Sequence, residues 1–245
     1  MKAREFFDRY VGVRSCAGCG ELMSYEQARD AFCPRCRKIW DQAKTENCPT
    51  CFQAISECIC MPPFLKSAGV LSLRKLTRYS SARQNEPQNR ILYAIKHNPN
   101  RRYTRFLVSE LLPALREELS AAGVENGAEE ALLIHLPRGR RARSKYGHDQ
   151  SELFCRILSE QTGIPHAKRA IRRRLGGREQ KKLNRKERQA NLRGLLSLRD
   201  ETAVRGKVVI LFDDIVTTGA SLAACASLLK KAGAKMILCG TISQN

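Results

Sequence analysis

The sequence predicts an α/β fold, in which a mostly parallel β-sheet flanked by helices follows a small cysteine-rich domain. After residue 62, apolar runs of strand length alternate with helical patterns, the order expected when crossover helices join parallel strands. Eight of the 11 cysteines precede residue 61. We therefore expect two domains, residues 1–62 and residues 63–245. Met61-Pro62-Pro63 is predicted to be the linker, because consecutive prolines stop regular structure.

The second part of the chain contains the strand and helix patterns. Strands are predicted at 69–76, 131–136, 169–171, 207–212 and 235–242. Apolar residues at helical spacing predict helices at 89–97, 103–122, 150–162 and 219–232. Residues 184–191 are predicted to form a polar helix or an ordered loop. The run Val208–Phe212 is typical of a buried central strand in a parallel sheet.

Positive charge is concentrated in one segment of the chain. The net charge is +20, and residues 138–193 carry 18 Lys and Arg against five Asp and Glu. Such a block attracts a polyanion or a phosphorylated ligand, although a solvated basic face is the simpler alternative. No apolar run approaches the roughly 20 residues that span a bilayer, and no secretory signal is evident. We expect a cytoplasmic protein without membrane insertion.

The cysteines before residue 61 form pairs with metal-ligand spacing. Two Cys-x-x-Cys pairs separated by 13 residues match a tetrahedral zinc site: Cys16, Cys19, Cys33 and Cys36. A second site is predicted from Cys48, Cys51, Cys58 and Cys60. Disulfides are the competing interpretation and require an oxidising compartment. Four thiolate ligands close a site to water, so both zinc ions are predicted to be structural.

The segment after Val208–Phe212 combines two carboxylates with an anion-binding loop. Asp213 and Asp214 come first, at the end where open α/β sheets bind ligands. Hydroxyl and backbone N–H groups at a helix start then form a cradle for an anion: Thr217, Thr218, Gly219, Ala220 and Ser221. The loop lacks the lysine of a Walker loop and the three glycines of a dinucleotide site. A sugar phosphate, with a divalent metal, fits both features.

This segment resembles the phosphoribosyl-diphosphate (PRPP) motif of type I phosphoribosyltransferases. The resemblance implies that Asp213 and Asp214 contact the ribose hydroxyls. It also implies that the loop residues hold the 5-phosphate: Thr217, Thr218, Gly219, Ala220 and Ser221.

Three further stretches resemble the ComF competence family. The cysteine pairs are similar to its double zinc ribbon, and residues 136–152 to its Pro-x-x-x-x-Arg-x-Arg…Gly-Phe-Asn-Gln segment. A third pattern is matched by Gln180, Leu183, Arg188, Asn191 and Gly194. The chain departs from the family where Gly-Phe-Asn-Gln reads as Gly-His-Asp-Gln over 147–150. Tyr146 stands where an arginine is usual, and Gly177 replaces a common threonine.

The basic block supplies two further sets of candidate residues. One set follows the strand at 131–136 and is expected to neutralise pyrophosphate with the help of magnesium: Arg138, Arg140, Arg141, Arg143 and Lys145. The other exceeds what one diphosphate needs and suits a nucleic-acid backbone: Arg172, Arg173, Arg174, Lys181, Lys182, Arg185, Lys186 and Arg188. Few aromatic residues lie nearby in sequence, chiefly Tyr146 and Phe154, which argues against base stacking there.

The resemblance implies a phosphoribosyltransferase-like protein that binds PRPP with Mg²⁺ and handles single-stranded DNA in natural transformation, with other competence proteins as partners. As an enzyme it would transfer the pentosyl group, with Asp213 and Asp214 as catalytic groups that orient the ribose and stabilise developing positive charge. The alternative is a salvage-type phosphoribosyltransferase of nucleotide metabolism with no DNA role. A PRPP-responsive transcription regulator is disfavoured, because no helix-turn-helix pattern stands out.

Overall fold

A computed structural model describes residues 14–24, 26–27, 30–139, 146–173 and 195–245 of the chain. In chain order its strands are β1 Arg14–Ser15, β2 Leu22–Met23, β3 Ser72–Arg78, β4 Ala131–His135, β5 Ile171–Arg173, β6 Leu196–Leu198, β7 Val208–Val216 and β8 Met236–Gln244. Its α-helices are α1 Pro34–Thr45, α2 Pro63–Ser67, α3 Pro87–His97, α4 Arg101–Ala121, α5 Gly127–Glu130, α6 Gln150–Thr162 and α7 Ala220–Lys231.

The central feature is a four-stranded sheet with the strand order β3-β8-β7-β4. Every neighbouring pair in it is parallel. Two antiparallel pairs lie outside this sheet, β1 with β2 and β5 with β6. The α/β architecture with a parallel sheet is therefore confirmed, and β7 occupies an inner position between β8 and β4.

Helices cover both faces of the sheet, as the apolar sequence of β7 predicts. Val208, Ile210 and Phe212 point into one core, which also contains apolar residues of α3, α4 and α6. The alternate residues Val209 and Leu211 point into a second core with α2 and α7. This alternation follows from the two-residue period of a strand, and it explains why the whole run is apolar.

Helix α6 occupies the predicted range, and its ends show why. The Asp149 side chain accepts hydrogen bonds from the backbone N–H groups of Ser151 and Glu152, which caps the first turn. Gly163 ends the helix in the left-handed conformation, with φ +74°. The aromatic ring of Phe154 stacks on Phe212 of β7, with 3.8 Å between the ring centroids.

The structure shifts several of the predicted boundaries, and two of these shifts bear on the site. Strand β7 continues four residues beyond Phe212, because β8 extends alongside it and pairs as far as Val216. Pro63 begins helix α2 instead of belonging to an extended linker, since proline is well suited to the first helical position. The predicted element at 184–191 lies outside the described residues. Among the helices that the structure describes, none is long and apolar enough to cross a membrane.

Candidate functional site

The acidic pair lies inside the last part of β7, at the carboxyl edge of the sheet. Asp213 is in register with Thr241 of β8, while pairing with β4 stops one residue earlier, at Phe212. Among the described residues, no strand therefore pairs with β7 on its β4 side from Asp213 onward. Parallel sheets bind ligands beyond this edge, so the longer β7 still places both carboxylates where the sequence predicts a ligand.

Gln150, at the start of α6, contacts the acidic pair, although sequence reasoning assigns it no role of its own there. Its side-chain amide donates a hydrogen bond to the Asp214 carboxylate. Gln150 is 2% exposed, and its Oε1 atom has no hydrogen-bond partner among the described residues. A buried polar atom without a partner is costly, which suggests that a bound ligand satisfies it. The signal was present in the sequence as the last residue of the Gly-His-Asp-Gln segment.

The environment of Asp213 opposes its ionisation. Burial, together with the adjacent charge of Asp214, raises the pKa of Asp213 well above its usual range. The backbone N–H of Asp214 donates to Asp213 Oδ1 at 3.0 Å, which offsets only part of this effect. Donors or a cation supplied by a ligand would favour the charged form of Asp213.

The predicted anion loop surrounds a small cavity of about 60 Å³, lined by residues 213 and 215–222. Gly219 is the residue before α7 and has φ +72°. A Cβ atom on Gly219 would lie 3.0 Å from Cγ of Leu65 in α2. The glycine is therefore required by its backbone conformation and by the close approach of α2. The loop leads directly into the N-terminus of α7, and a helix N-terminus favours anions.

The structure places only part of the basic block. Arg138 follows β4, and its guanidinium nitrogen Nη2 lies 4.0 Å from Asp214 Oδ2. Arg173 approaches the same segment, because a Cβ atom on Gly139 would lie 3.6 Å from its Cζ atom. Arg172 is exposed on β5. The other candidates lie outside the described residues: Arg140, Arg141, Arg143, Lys145, Arg174, Lys181, Lys182, Arg185, Lys186 and Arg188. The same applies to Gly177, Gln180, Leu183, Asn191 and Gly194.

The eight early cysteines form two groups that could each hold a metal ion. In each group the four sulfur atoms lie within 4.8 Å of one another: Cys16, Cys19, Cys33 and Cys36, and Cys48, Cys51, Cys58 and Cys60. The Sγ atoms of Cys19 and Cys33 are 3.7 Å apart, and those of Cys51 and Cys58 are 3.5 Å apart. A tetrahedron with Zn–S bonds of ~2.3 Å has edges of about 3.8 Å. Both groups therefore fit zinc.

In each cysteine group, hydrogen bonds from the backbone lower the pKa of one thiol. Burial would raise the pKa of Cys16, but hydrogen bonds from backbone N–H groups outweigh it and lower the pKa to about 7. The same balance lowers the pKa of Cys48 to about 6. Cys33 is the residue before α1, so the first group lies at the positive end of a helix dipole. Thiolate is the form that binds metal.

Hydrogen bonds and aromatic packing connect both cysteine groups to the rest of the fold. Lys75 of β3 is 2% exposed and donates hydrogen bonds to the carbonyl oxygens of Cys58 and Cys60, at 3.1 Å and 2.6 Å. The first cysteine group is held through α1, which carries Cys36 and Trp40. Trp40 is fully buried, and its ring packs against Phe106 of α4 with 5.5 Å between the ring centroids. The cysteine-rich region therefore shares a core with the sheet. The domain division at residue 62 stays a prediction.

Comparison with known proteins agrees with this geometry. Residues 141–245 match the phosphoribosyl transferase domain family. This match spans 105 of the chain's 245 residues. Its relatives include DNA utilization protein YhgH of Escherichia coli O157:H7, 32% identical over 114 residues, and competence protein F of Haemophilus influenzae, 32% identical over 108 residues. The first match covers 45% of this chain and 49% of the relative, and the second covers 43% and 44%. The resemblance to the competence family is thus confirmed.

The chain spans about half the length of these relatives. YhgH of Salmonella typhi matches over 153 residues at 29% identity, which is 56% of this chain and 66% of the relative. Among solved structures, adenine phosphoribosyltransferase from Saccharomyces cerevisiae matches with a TM-score of 0.33 and 19% identity, over 56% of this chain and 68% of that one. The fold assignment rests on the family match and on the parallel sheet.

Proposed function

We propose that this chain binds PRPP with Mg²⁺ at the carboxyl end of β7 and handles single-stranded DNA as a competence-type protein. PRPP binding is supported chiefly by one observation. The acidic pair at the end of β7 is followed directly by the loop before α7, within the residues that match the phosphoribosyl transferase domain family. Asp213 and Asp214 would hold the ribose hydroxyls. The 5-phosphate would lie against the N-terminus of α7, held by Thr217, Thr218, Gly219, Ala220 and Ser221.

Arg138 supports this arrangement, because it follows β4 and its guanidinium lies 4.0 Å from the Asp214 carboxylate. We assign it to the pyrophosphate group, whose negative charge it would neutralise. Mg²⁺, when bound with PRPP, supplies further charge neutralisation. In a transfer reaction Asp213 and Asp214 would also orient the ribose and stabilise positive charge at the anomeric carbon. The buried Oε1 atom of Gln150 would accept a hydrogen bond from the ligand.

The DNA part is supported by the relatives named for DNA utilization and competence and by the basic segment at 138–193. Contacts between arginine or lysine and phosphates bind nucleic acid without regard to sequence and weaken as salt rises. A salvage-type phosphoribosyltransferase without a DNA role is the alternative. It predicts PRPP binding with no affinity for oligonucleotides, and fluorescence anisotropy with labelled oligonucleotides separates the two.

Calorimetric titration with PRPP and Mg²⁺ tests the site. We expect the double variant Asp213→Asn/Asp214→Asn to lose at least about 100-fold in affinity, because it removes two charged acceptors that each contribute ~1.5–3 kcal/mol. The control is Glu125→Gln/Glu129→Gln, which changes the charge equally at exposed positions and should bind as the wild type does. Equal PRPP affinity in the double variant and the wild type would overturn the assignment.

The folding control for this test follows from the pKa of Asp213. Because burial and Asp214 raise that pKa, ionisation of Asp213 opposes folding at neutral pH. The single variant Asp213→Asn should thus be at least as stable as the wild type at pH 7. Any advantage should fade as the pH falls toward the ordinary carboxyl pKa. Weaker PRPP binding in this variant then reports on the site and not on unfolding.

We also infer that each cysteine group holds one structural Zn²⁺. In the first group the metal knuckle requires glycine at position 18, because a Cβ atom there would lie 2.7 Å from Cys36 Sγ. Gly18→Ala should therefore lower bound zinc from two ions per chain to one. Gly20→Ala is the control, since it has φ +81° but open space around it, so only backbone strain of about 1 kcal/mol is added. A chromogenic chelator measures the zinc content of both variants. Two zinc ions per chain in Gly18→Ala would contradict the inference.

A further inference from the structure

Three aromatic rings form a ladder on the surface beside the acidic pair. Tyr93 and His97, one turn apart on α3, stack with their ring centroids 4.6 Å apart and an interplanar angle of 27°. His97 meets Tyr146 edge to face, with 5.0 Å between centroids. Tyr93 is 66% exposed, and His97 is exposed as well. Large exposed rings of this kind are unusual on a surface without a partner.

Positive charge accompanies the aromatic ladder of Tyr93, His97 and Tyr146. The Nζ atom of Lys96 lies 5.9 Å from the centroid of the Tyr146 ring, and the Cζ atom of Arg138 lies 5.0 Å from it. The same Arg138 approaches Asp214. The ladder therefore runs from the outer surface of α3 to the edge of the candidate PRPP site.

The turn that carries Tyr146 is fixed in place against α3. One ring nitrogen of His148, Nδ1, lies 2.7 Å from the carbonyl oxygen of Tyr146. The other, Nε2, lies 2.9 Å from the carbonyl oxygen of Ile95. Tyr146 is thus held next to α3 before any ligand arrives, and a preorganised ring loses little entropy when it stacks on another ring.

From this geometry we propose that the ladder of Tyr93, His97 and Tyr146 is a stacking platform for the bases of single-stranded DNA. Exposed aromatic rings stack on unpaired bases without sequence preference, and nearby cations bind the backbone. Lys96 would contact a phosphate. Duplex DNA does not fit, because its bases are already stacked on one another. The inference deepens the DNA part of the proposed function and rests on it.

Fluorescence anisotropy with the zinc-loaded full chain tests the platform. One labelled strand is oligothymidine, and the other is an abasic strand of the same length. The wild type should bind the strand with bases more tightly. Tyr93→Ala should lower the affinity for oligothymidine about tenfold and leave the abasic strand unaffected, whereas Tyr93→Phe should bind both as the wild type does. Because Tyr93 is exposed, its replacement leaves the core intact.

Lys96→Gln is the matched charge variant. It should weaken binding to both strands and reduce the salt dependence by about one phosphate contact. Tyr93→Ala should keep the wild-type affinity for PRPP, which separates the platform from the sugar-phosphate site. If oligothymidine and the abasic strand bind equally well to the wild type, or if Tyr93→Ala changes nothing, the platform is wrong. If neither strand binds at any salt concentration, the DNA part of the proposed function fails with it. Competition by a free nucleobase, without oligonucleotide binding, would reassign the ladder to a small acceptor.

Discussion

Replacing Cys36 with serine is expected to release one zinc ion and to unfold more than the N-terminal region. A structural zinc site in a small domain contributes ~10–16 kcal/mol of apparent binding free energy, which matches or exceeds the total stability of about 5–15 kcal/mol of an ordinary domain. Cys36 lies on α1, and the same helix carries the buried Trp40 that packs on Phe106. Loss of the metal therefore opens a core that α1 shares with α4.

Cys155→Ala is the matched control for this variant. Cys155 is fully buried in α6 and belongs to neither cysteine group. It should keep two zinc ions and lose only the modest free energy of a small core truncation. Zinc content and urea unfolding would be measured on both proteins. A Cys36→Ser protein that binds one zinc ion and unfolds at the urea concentration of the wild type would show that the zinc site and the sheet are independent.

Local sequence patterns predicted the elements that position the sugar-phosphate site. Helix α6 could be placed because its cap, its apolar face and its terminal glycine all lie within one short segment. Strand β7 was predicted too short. Asp213 and Asp214 read as the start of a loop, yet β8 alongside continues the pairing to Val216. The chemistry of the pair was visible in sequence, whereas its backbone depends on a strand more than 20 residues away.

Contacts between distant parts of the chain were not visible in sequence. Tyr146 is isolated in the sequence, because its ring partner His97 precedes it by about 50 residues and lies on α3, where it stacks on Tyr93. The proposed platform departs from the expectation of little base stacking near the basic block, because it joins Tyr146 to rings of α3. The contacts that hold the cysteine-rich region against the rest of the fold were also not visible in the sequence. Lys75 and Glu110 are ordinary charged residues in the printed sequence, and only the fold brings them to the cysteine groups.

Glu110 of α4 connects that helix to α1, the helix that carries Cys36, by accepting hydrogen bonds from three donors. Its carboxylate accepts hydrogen bonds from Arg37 at 2.9 Å, from the Trp40 indole at 3.0 Å and from Lys44. The Glu110 side chain is only 11% exposed. Burial would raise its pKa, but Lys44, Trp40 and Arg37 outweigh that effect and lower the pKa below the ordinary value. The charged carboxylate therefore stabilises the folded state.

Glu110→Gln should destabilise the chain by about 2–3 kcal/mol, which lies between the ~1 kcal/mol of an exposed ion pair and the 3–5 kcal/mol lost when a buried one is broken. Glu117→Gln on the same helix is the control. Its side chain is 69% exposed beside Arg74, so its effect should stay within about 0.5 kcal/mol. Urea unfolding at pH 7 compares the variants, with zinc content checked in each.

The stability difference between the wild type and Glu110→Gln should depend on pH if the charge of Glu110 is its cause. A lowered folded-state pKa means that the contribution of Glu110 is fully present above the unfolded pKa, and that it disappears as the pH falls through the folded value. The stability difference between wild type and Glu110→Gln should thus be constant from pH 8 to about pH 5.5 and shrink only near and below the ordinary glutamate pKa of 4.5. A difference that already shrinks near pH 7 would mean that Glu110 titrates high and that its three donors do not hold it charged.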